Sequence, residues 1–134
     1  MKRYDLLKQL AALVTEEDLV EGLLKNYSVL YVCGQNLERK AAKALKDWVN
    51  GGGTVFATAG AARLDEADAA MTDLDEVFGR GKQISYQRYK GPLRARLELL
   101  FEKPLDKIKF PNGDAINALC SREEFEAASG TKVL

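Results

Sequence analysis

Two short runs rich in β-branched and aromatic residues, Ser28-Val29-Leu30-Tyr31-Val32-Cys33 and Thr54-Val55-Phe56-Ala57-Thr58-Ala59, flank one amphipathic segment that closes on Gly51-Gly52-Gly53. Each run suits a strand buried on both faces of a parallel sheet. Between them Leu37, Ala41, Ala44, Leu45, Trp48 and Val49 form one apolar stripe, and Glu38, Arg39, Lys40, Lys43 and Asp47 occupy the opposite side. Asn36 is placed to cap that helix, and the glycines supply the left-handed conformations that stop it. The crossover is long enough for parallel pairing, so residues 28–59 predict one strand-helix-strand unit. The fold class expected from this unit is α/β, a doubly wound, flavodoxin-like, mainly parallel sheet.

The flanking segments are read against that unit. Tyr4, Leu7, Leu10, Ala11 and Val14 recur at helical spacing and predict a first amphipathic helix. Thr15-Glu16-Glu17-Asp18 has the form of a capping box ahead of a short helix through Leu19, Val20, Leu23 and Leu24. Ala70, Met71, Leu74, Val77 and Phe78 predict a third helix over residues 68–78, stopped by Gly79. Beyond it the pattern loosens. Residues 82–89 read as a strand, 93–101 as helix or strand, 107–110 as an edge strand, 111–114 as a turn, 115–120 as a strand, and 131–134 as the start of another.

Composition then limits the chemistry. The chain has 134 residues, enough for one domain with its own core, and contains no histidine. Every arrangement that needs an imidazole is thereby excluded within the chain, from Ser-His-Asp and Cys-His pairs to His-ligated metals. Lys plus Arg and Asp plus Glu number 20 each, so no global field draws in nucleic acid or an anionic membrane. The longest apolar runs are too short to span a bilayer. Cys33 and Cys120 are too few for a disulfide framework, and a reducing, cytoplasmic compartment is the default expectation.

Beyond the secondary-structure pattern, the run of residues 27–37, followed by Ala41-Ala42-Lys43-Ala44-Leu45-Lys46-Asp47-Trp48-Val49 and Gly51-Gly52-Gly53-Thr54-Val55, resembles the glutamine-amidotransferase-like domain that serves as the trimerisation domain of family 42 β-galactosidases. Ala59-Gly60-Ala61-Ala62-Arg63-Leu64-Asp65-Glu66 and Leu74-Asp75-Glu76-Val77-Phe78-Gly79 are similar to the loop and helix that follow there. The likeness covers residues 13–80 well and the rest faintly. It implies a single domain over residues 1–134, truncated at both ends, with a non-catalytic structural or oligomerising role in a carbohydrate-active protein. Active amidotransferases carry a cysteine on a strand-to-helix elbow and a histidine to activate it. Thr58-Ala59-Gly60-Ala61 has no thiol, so neither enzymatic activity nor a cofactor is expected of the chain itself.

Five residues are candidates for a site. Cys33 ends a strand ahead of a predicted helix, where a helix dipole favours a thiolate, although a free cysteine is most often a small core residue and the adjoining apolar run predicts burial and a protected thiol. A thiol-dependent enzyme or redox sensor is the alternative it supports. Asp65 and Glu66, with Asp68, follow the second strand of the unit, at the sheet edge where open α/β folds bind ligands. Metal or sugar contact is set there against a solvated loop. Arg88 and Lys90 belong to an acid-free basic stretch, residues 80–96, that interleaves tyrosines and supports phosphate or nucleic-acid binding as a third reading, against a solvated or docking face. The partner expected first is a second copy of the chain or a neighbouring domain.

Overall fold

The computed structural model describes residues 12–88, 104–118 and 120–132. Its best-formed part is the anticipated unit. Strand β1, Val29–Val32, pairs in parallel with β2, Thr54–Ala57, in the register Val29↔Thr54 to Val32↔Ala57. The intervening helix, Arg39–Asn50, is numbered α2 because a shorter one, α1 over Glu16–Val20, precedes it. α1 starts at the foreseen capping box, where Thr15 Oγ1 accepts from the Asp18 amide and Asp18 Oδ2 accepts from the Thr15 amide at 2.9 Å. Gly22, at φ +82°, ends it, and a 3-10 turn over Leu23–Asn26 leads into β1.

The core lies between one face of β1–β2 and α2. Leu37, Ala41, Ala42 and Leu45 are buried there, with Leu30, Val32 and Val55 packed against them, and Leu19, Leu24, Met71 and Leu74 close the ends. α2 stops as expected: Gly52 takes φ +107°, and a Cβ on Gly53 would lie 2.4 Å from the Trp48 ring. The start of α2 differs from expectation. Asn36 does not cap it, because its Nδ2 donates to the Asp65 carbonyl and to Asp68 Oδ1. Two carboxylates from outside the helix serve instead. Glu16 accepts from the Glu38 amide at 2.8 Å, and Glu66 accepts from the Arg39 amide at 3.1 Å, which places negative charge at the positive end of the helix dipole.

The doubly wound parallel fold is not what the chain adopts. Among the described residues there are two α-helices and three two-stranded sheets, of which β1–β2 alone is parallel. Strand β3, Arg80–Arg88, pairs antiparallel with β6, Ser121–Ala127, and β4, Asp106–Lys109, pairs antiparallel with β5, Ala115–Ala118, around the turn at Gly113. Two local causes account for the departure. A helix does not start at residue 68 because Asp68 takes φ +60° and Ala70 bridges Leu64 in an antiparallel pair, while Asp65 Oδ1 holds the turn between them by accepting from the Ala67 and Ala69 amides. A side chain offering the backbone such bonds competes directly with a helix. Only short turns follow, so no crossover helix returns the chain to a third parallel strand.

The second cause lies in the strands themselves. Val29, Tyr31 and Phe56 are exposed while Leu30, Val32 and Val55 point inward, so among the described residues β1 and β2 are covered on one face and not on both. Of the expected first helix, Tyr4 to Ala11 lie outside the described residues and Val14 is described but not helical; the segment at 93–101, Lys90 and the last residues of the expected terminal strand also lie outside the described residues. Thr131 and Lys132 are not in a strand, and Thr131 Oγ1 instead donates to the Gly79 carbonyl.

Candidate functional site

The β3–β6 ribbon is held against the β1–α2–β2 unit by a buried ionic cluster. Glu123, on β6, has a side chain 4% exposed, and it accepts from the Gly60 amide and Arg63 Nε, both at 2.7 Å, and from Gln83 at 2.8 Å. Arg63 also reaches Asp75, which pairs in turn with Arg80 Nε at 2.8 Å. Arg80 donates its remaining nitrogens to the Ala61 and Ala62 carbonyls and lies over the Phe78 ring. Burial pushes the Glu123 carboxyl up, but the Gly60 amide, Arg63 and Gln83 outweigh it and hold the group below the usual glutamate range. Two arginines and two carboxylates thus balance one another. The cluster is a tie between two parts of the fold, with Arg63 Nη2 the one buried side-chain atom among the described residues that lacks a partner.

That tie fixes a crevice beyond the carboxyl ends of β1 and β2. The loop after β1 holds the turn after β2 through the Gly34 carbonyl, which accepts from the Ala62 amide at 2.8 Å, and the Thr58 amide donates to Val32. Gly60 sits at φ +75° with the Tyr86 ring against it, so that a Cβ there would come within 2.5 Å of the ring. Tyr86 and Glu123 are cross-strand partners in the ribbon and reach Gly60 together. The resulting cavity, about 280 Å³, is walled by Asn36, Thr58, Tyr86, Arg88, Cys120 and Ser121.

Of the four candidates among the described residues, the structure brings Arg88 alone into this crevice, and Lys90 lies outside the described residues. Cys33 is exposed, not buried as the apolar run implied, because the alternation of β1 carries past Val32 to place it outward. The first residue of α2 is Arg39, so Cys33 does not adjoin the helix terminus that was expected to activate it. Asp65, though buried, is engaged with its own chain. The Ala69 amide first, then the Ala67 amide and Arg39, prevail over burial and hold its carboxyl below the usual aspartate range. Glu66 caps α2 and Asp68 holds Asn36, and among the described residues no cluster of carboxylates and thiols is arranged to hold a metal. The basic stretch is likewise divided. Arg80 is interior at 3% exposure, Lys82 and Arg88 are on the surface, and Lys90, Arg94 and Arg96 lie outside the described residues.

Sequence reasoning missed two features. Cys120 and Ser121 reach the crevice only because β6 forms, and β6, with sequence Ser121-Arg122-Glu123-Glu124-Phe125-Glu126-Ala127, is too acidic to resemble a strand by composition. Its signal was the alternation of Glu123 and Phe125 with Arg122, Glu124 and Glu126. The second missed feature is the bare face of β1–β2, where Tyr31 is 68% and Phe56 57% exposed, with ring centroids 5.3 Å apart and Val29 beside them. Among the described residues no helix is long and apolar enough to cross a membrane.

No known relative places the site. The chain matches no family model, no curated protein and no solved structure.

Proposed function

We propose that the chain is a non-catalytic structural domain that works by self-association through the outer face of β1–β2. The observation that carries this reading is the adjacent, solvent-facing pair Tyr31 and Phe56, flanked by Val29 on strands whose other face packs against the core. Contiguous exposed apolar surface of this kind, and aromatic surface above all, marks an association site. A second copy is the occupant because the patch carries no charge and the chain as a whole has zero formal net charge, so copies meet without electrostatic opposition. The likeness of residues 13–80 to a trimerisation domain points to the same partner and to a carbohydrate-active parent.

The non-catalytic part rests on the residues available. The turn after β2 is Ala59-Gly60-Ala61-Ala62, without a nucleophile, and the chain has no histidine to activate one elsewhere. Sedimentation equilibrium over a range of concentrations tests the association. Self-association is expected in the unaltered chain and is expected to be lost in Tyr31→Thr with Phe56→Thr, a pair that preserves strand-compatible side chains and leaves the circular dichroism unchanged. A chain that stays monomeric at every concentration, or an association that survives the double substitution, refutes the reading. A reading frame that continues into a glycosidase barrel is the corresponding test of the parent.

A further inference from the structure

We infer that the crevice beyond β1 and β2 binds a small polar molecule carrying an oxyanion, a carboxylate or a phosphate monoester, with Arg88 as its charge partner. The argument begins with the wall. Among the described lining residues Arg88 is the one full charge, and none is an acid. The remainder offers the hydroxyls of Tyr86 and Ser121 as neutral donors, since the Asn36 amide is given to the Asp65 carbonyl and Asp68 and the Thr58 hydroxyl to the Val32 carbonyl. A pocket with one fixed charge and neutral hydroxyls beside it is suited to orient a small ligand through one ionised group.

Among the described residues the neighbouring acids are spent elsewhere. Glu123 faces Gly60, Arg63 and Gln83, Asp68 holds Asn36, and Asp65 holds Arg39 with two backbone amides. The contrast with Arg122 is direct. Arg122 is bonded to Asp106 at 2.6 Å and lies 3.6 Å from Glu124, so its charge is neutralised within the ribbon. Arg88 stands opposite Ser121 in the same register, and among the described residues it makes no ion pair. A guanidinium so placed, at the mouth of a cavity and beside hydroxyls, offers a planar fork suited to a carboxylate or phosphate.

Position supports the same conclusion. The crevice lies past the carboxyl ends of two parallel strands, the end at which α/β units collect their ligands in the loops. Its rim is pre-formed, because Gly34, Thr58 and Gly60 are all fixed by hydrogen bonds to other parts of the chain. A ligand therefore meets a shaped site and not a loop that must first be ordered. The volume, about 280 Å³, admits a molecule the size of a single sugar phosphate or a short organic acid.

Cys120 supplies the assay, since it lines the crevice and is exposed, while Cys33 is exposed outside it. Native alkylation of both thiols is followed by mass spectrometry with inorganic phosphate, acetate and a hexose monophosphate as separate probes. At least one probe is expected to slow Cys120 in a saturable way and to leave Cys33 unchanged. Protection by acetate places the ligand among carboxylates, and protection confined to the phosphates places it among phosphate esters. Arg88→Gln is expected to weaken the protecting probe about tenfold, the loss of one charge-assisted pair, and Arg88→Lys to restore part of it. Protection absent with all three probes, or undiminished in Arg88→Gln, overturns the inference. Arg88 is a surface side chain, so an unchanged melting curve shows that the variant is folded and that the loss is one of binding. Failure here leaves the association reading intact, because sedimentation reads a different face.

Discussion

Replacing Glu123 by alanine removes the side chain by which β6 holds the turn after β2, leaving Arg80 of β3 on the Ala61 and Ala62 carbonyls. Three donors lose their acceptor together: the Gly60 amide, Arg63 Nε and the Gln83 amide. The larger penalty falls on Arg63, whose side chain is 11% exposed and which keeps only Asp75 as a counter-charge. Breaking a buried ion pair from one side costs about 3–5 kcal/mol. The low end applies because Asp75 still offsets part of the charge and Gln83 can turn to water, so a loss of about 3 kcal/mol is expected. A domain of this size has on the order of 5–15 kcal/mol in total. Urea denaturation should therefore show a lower midpoint with an unchanged slope, since the surface exposed on unfolding is the same. Glu123→Gln keeps an acceptor for Gly60 and should cost roughly half as much. The exposed Arg122–Asp106 pair is the internal control, and Arg122→Ala should cost far less than Glu123→Ala because solvent screens it. A Glu123→Ala penalty no larger than that of Arg122→Ala would refute the view that this cluster ties the two parts of the fold.

The remaining predictions concern acid and backbone geometry. Glu123, Asp65, Asp106 and Asp18 all have carboxyls held below their ordinary values in the folded chain, so the stability they contribute is complete above the unfolded value and is lost as pH falls through the folded ones. The urea midpoint should be flat between about pH 5 and 8, where no histidine titrates, and should fall below about pH 4; a midpoint that rises with acid contradicts the assignment. Gly60→Ala should destabilise by about 1–2 kcal/mol through its left-handed backbone alone, with a further cost because Tyr86 must move, and a neutral result in the melting curve would show that the turn is not held as described.

How far the sequence announced this structure depends on which kind of signal each segment carried. The strand-helix-strand unit was legible because the hydrophobic period changes from continuous to 3.6 residues and back, and the glycines mark the end of α2. The capping box at Thr15 was legible because its geometry is local. Residues 68–78 show where periodicity misleads. Met71 and Leu74 are buried as the spacing implied, yet the segment is built of turns, because Asp68 is left-handed and Ala70 pairs with Leu64, which a hydrophobic pattern does not record. Tyr31 and Phe56 misled in the other direction, since an apolar run reads alike whether its second face is covered or bare. Arg88 was singled out for the charge of its neighbourhood, but its partners in the crevice come from β6, some thirty residues on and invisible to any local pattern.

The two halves of the fold are stabilised by different means, and that difference bears on function. The β1–α2–β2 unit is held by apolar packing, with Ala41, Ala42 and Leu45 fully buried, whereas the ribbon is joined to it by charge and hydrogen bonds at Arg63, Asp75, Arg80 and Glu123. An ionic joint fixes position more than it adds net stability, because the desolvation of its members consumes much of their attraction. What it positions here is the wall of the crevice: Glu123 and Tyr86 meet Gly60, and two residues along the same strands Arg88 and Ser121 continue that wall. The apolar surface that would have added more net stability lies elsewhere, on the outer face of β1 and β2, where the described elements leave Tyr31 and Phe56 to solvent. On the two proposals above, recognition of a small anion and association between copies would use separate surfaces of the chain. The two surfaces are close but distinct, since Val32 and Ala57 lie between the aromatic pair and the crevice rim along their strands.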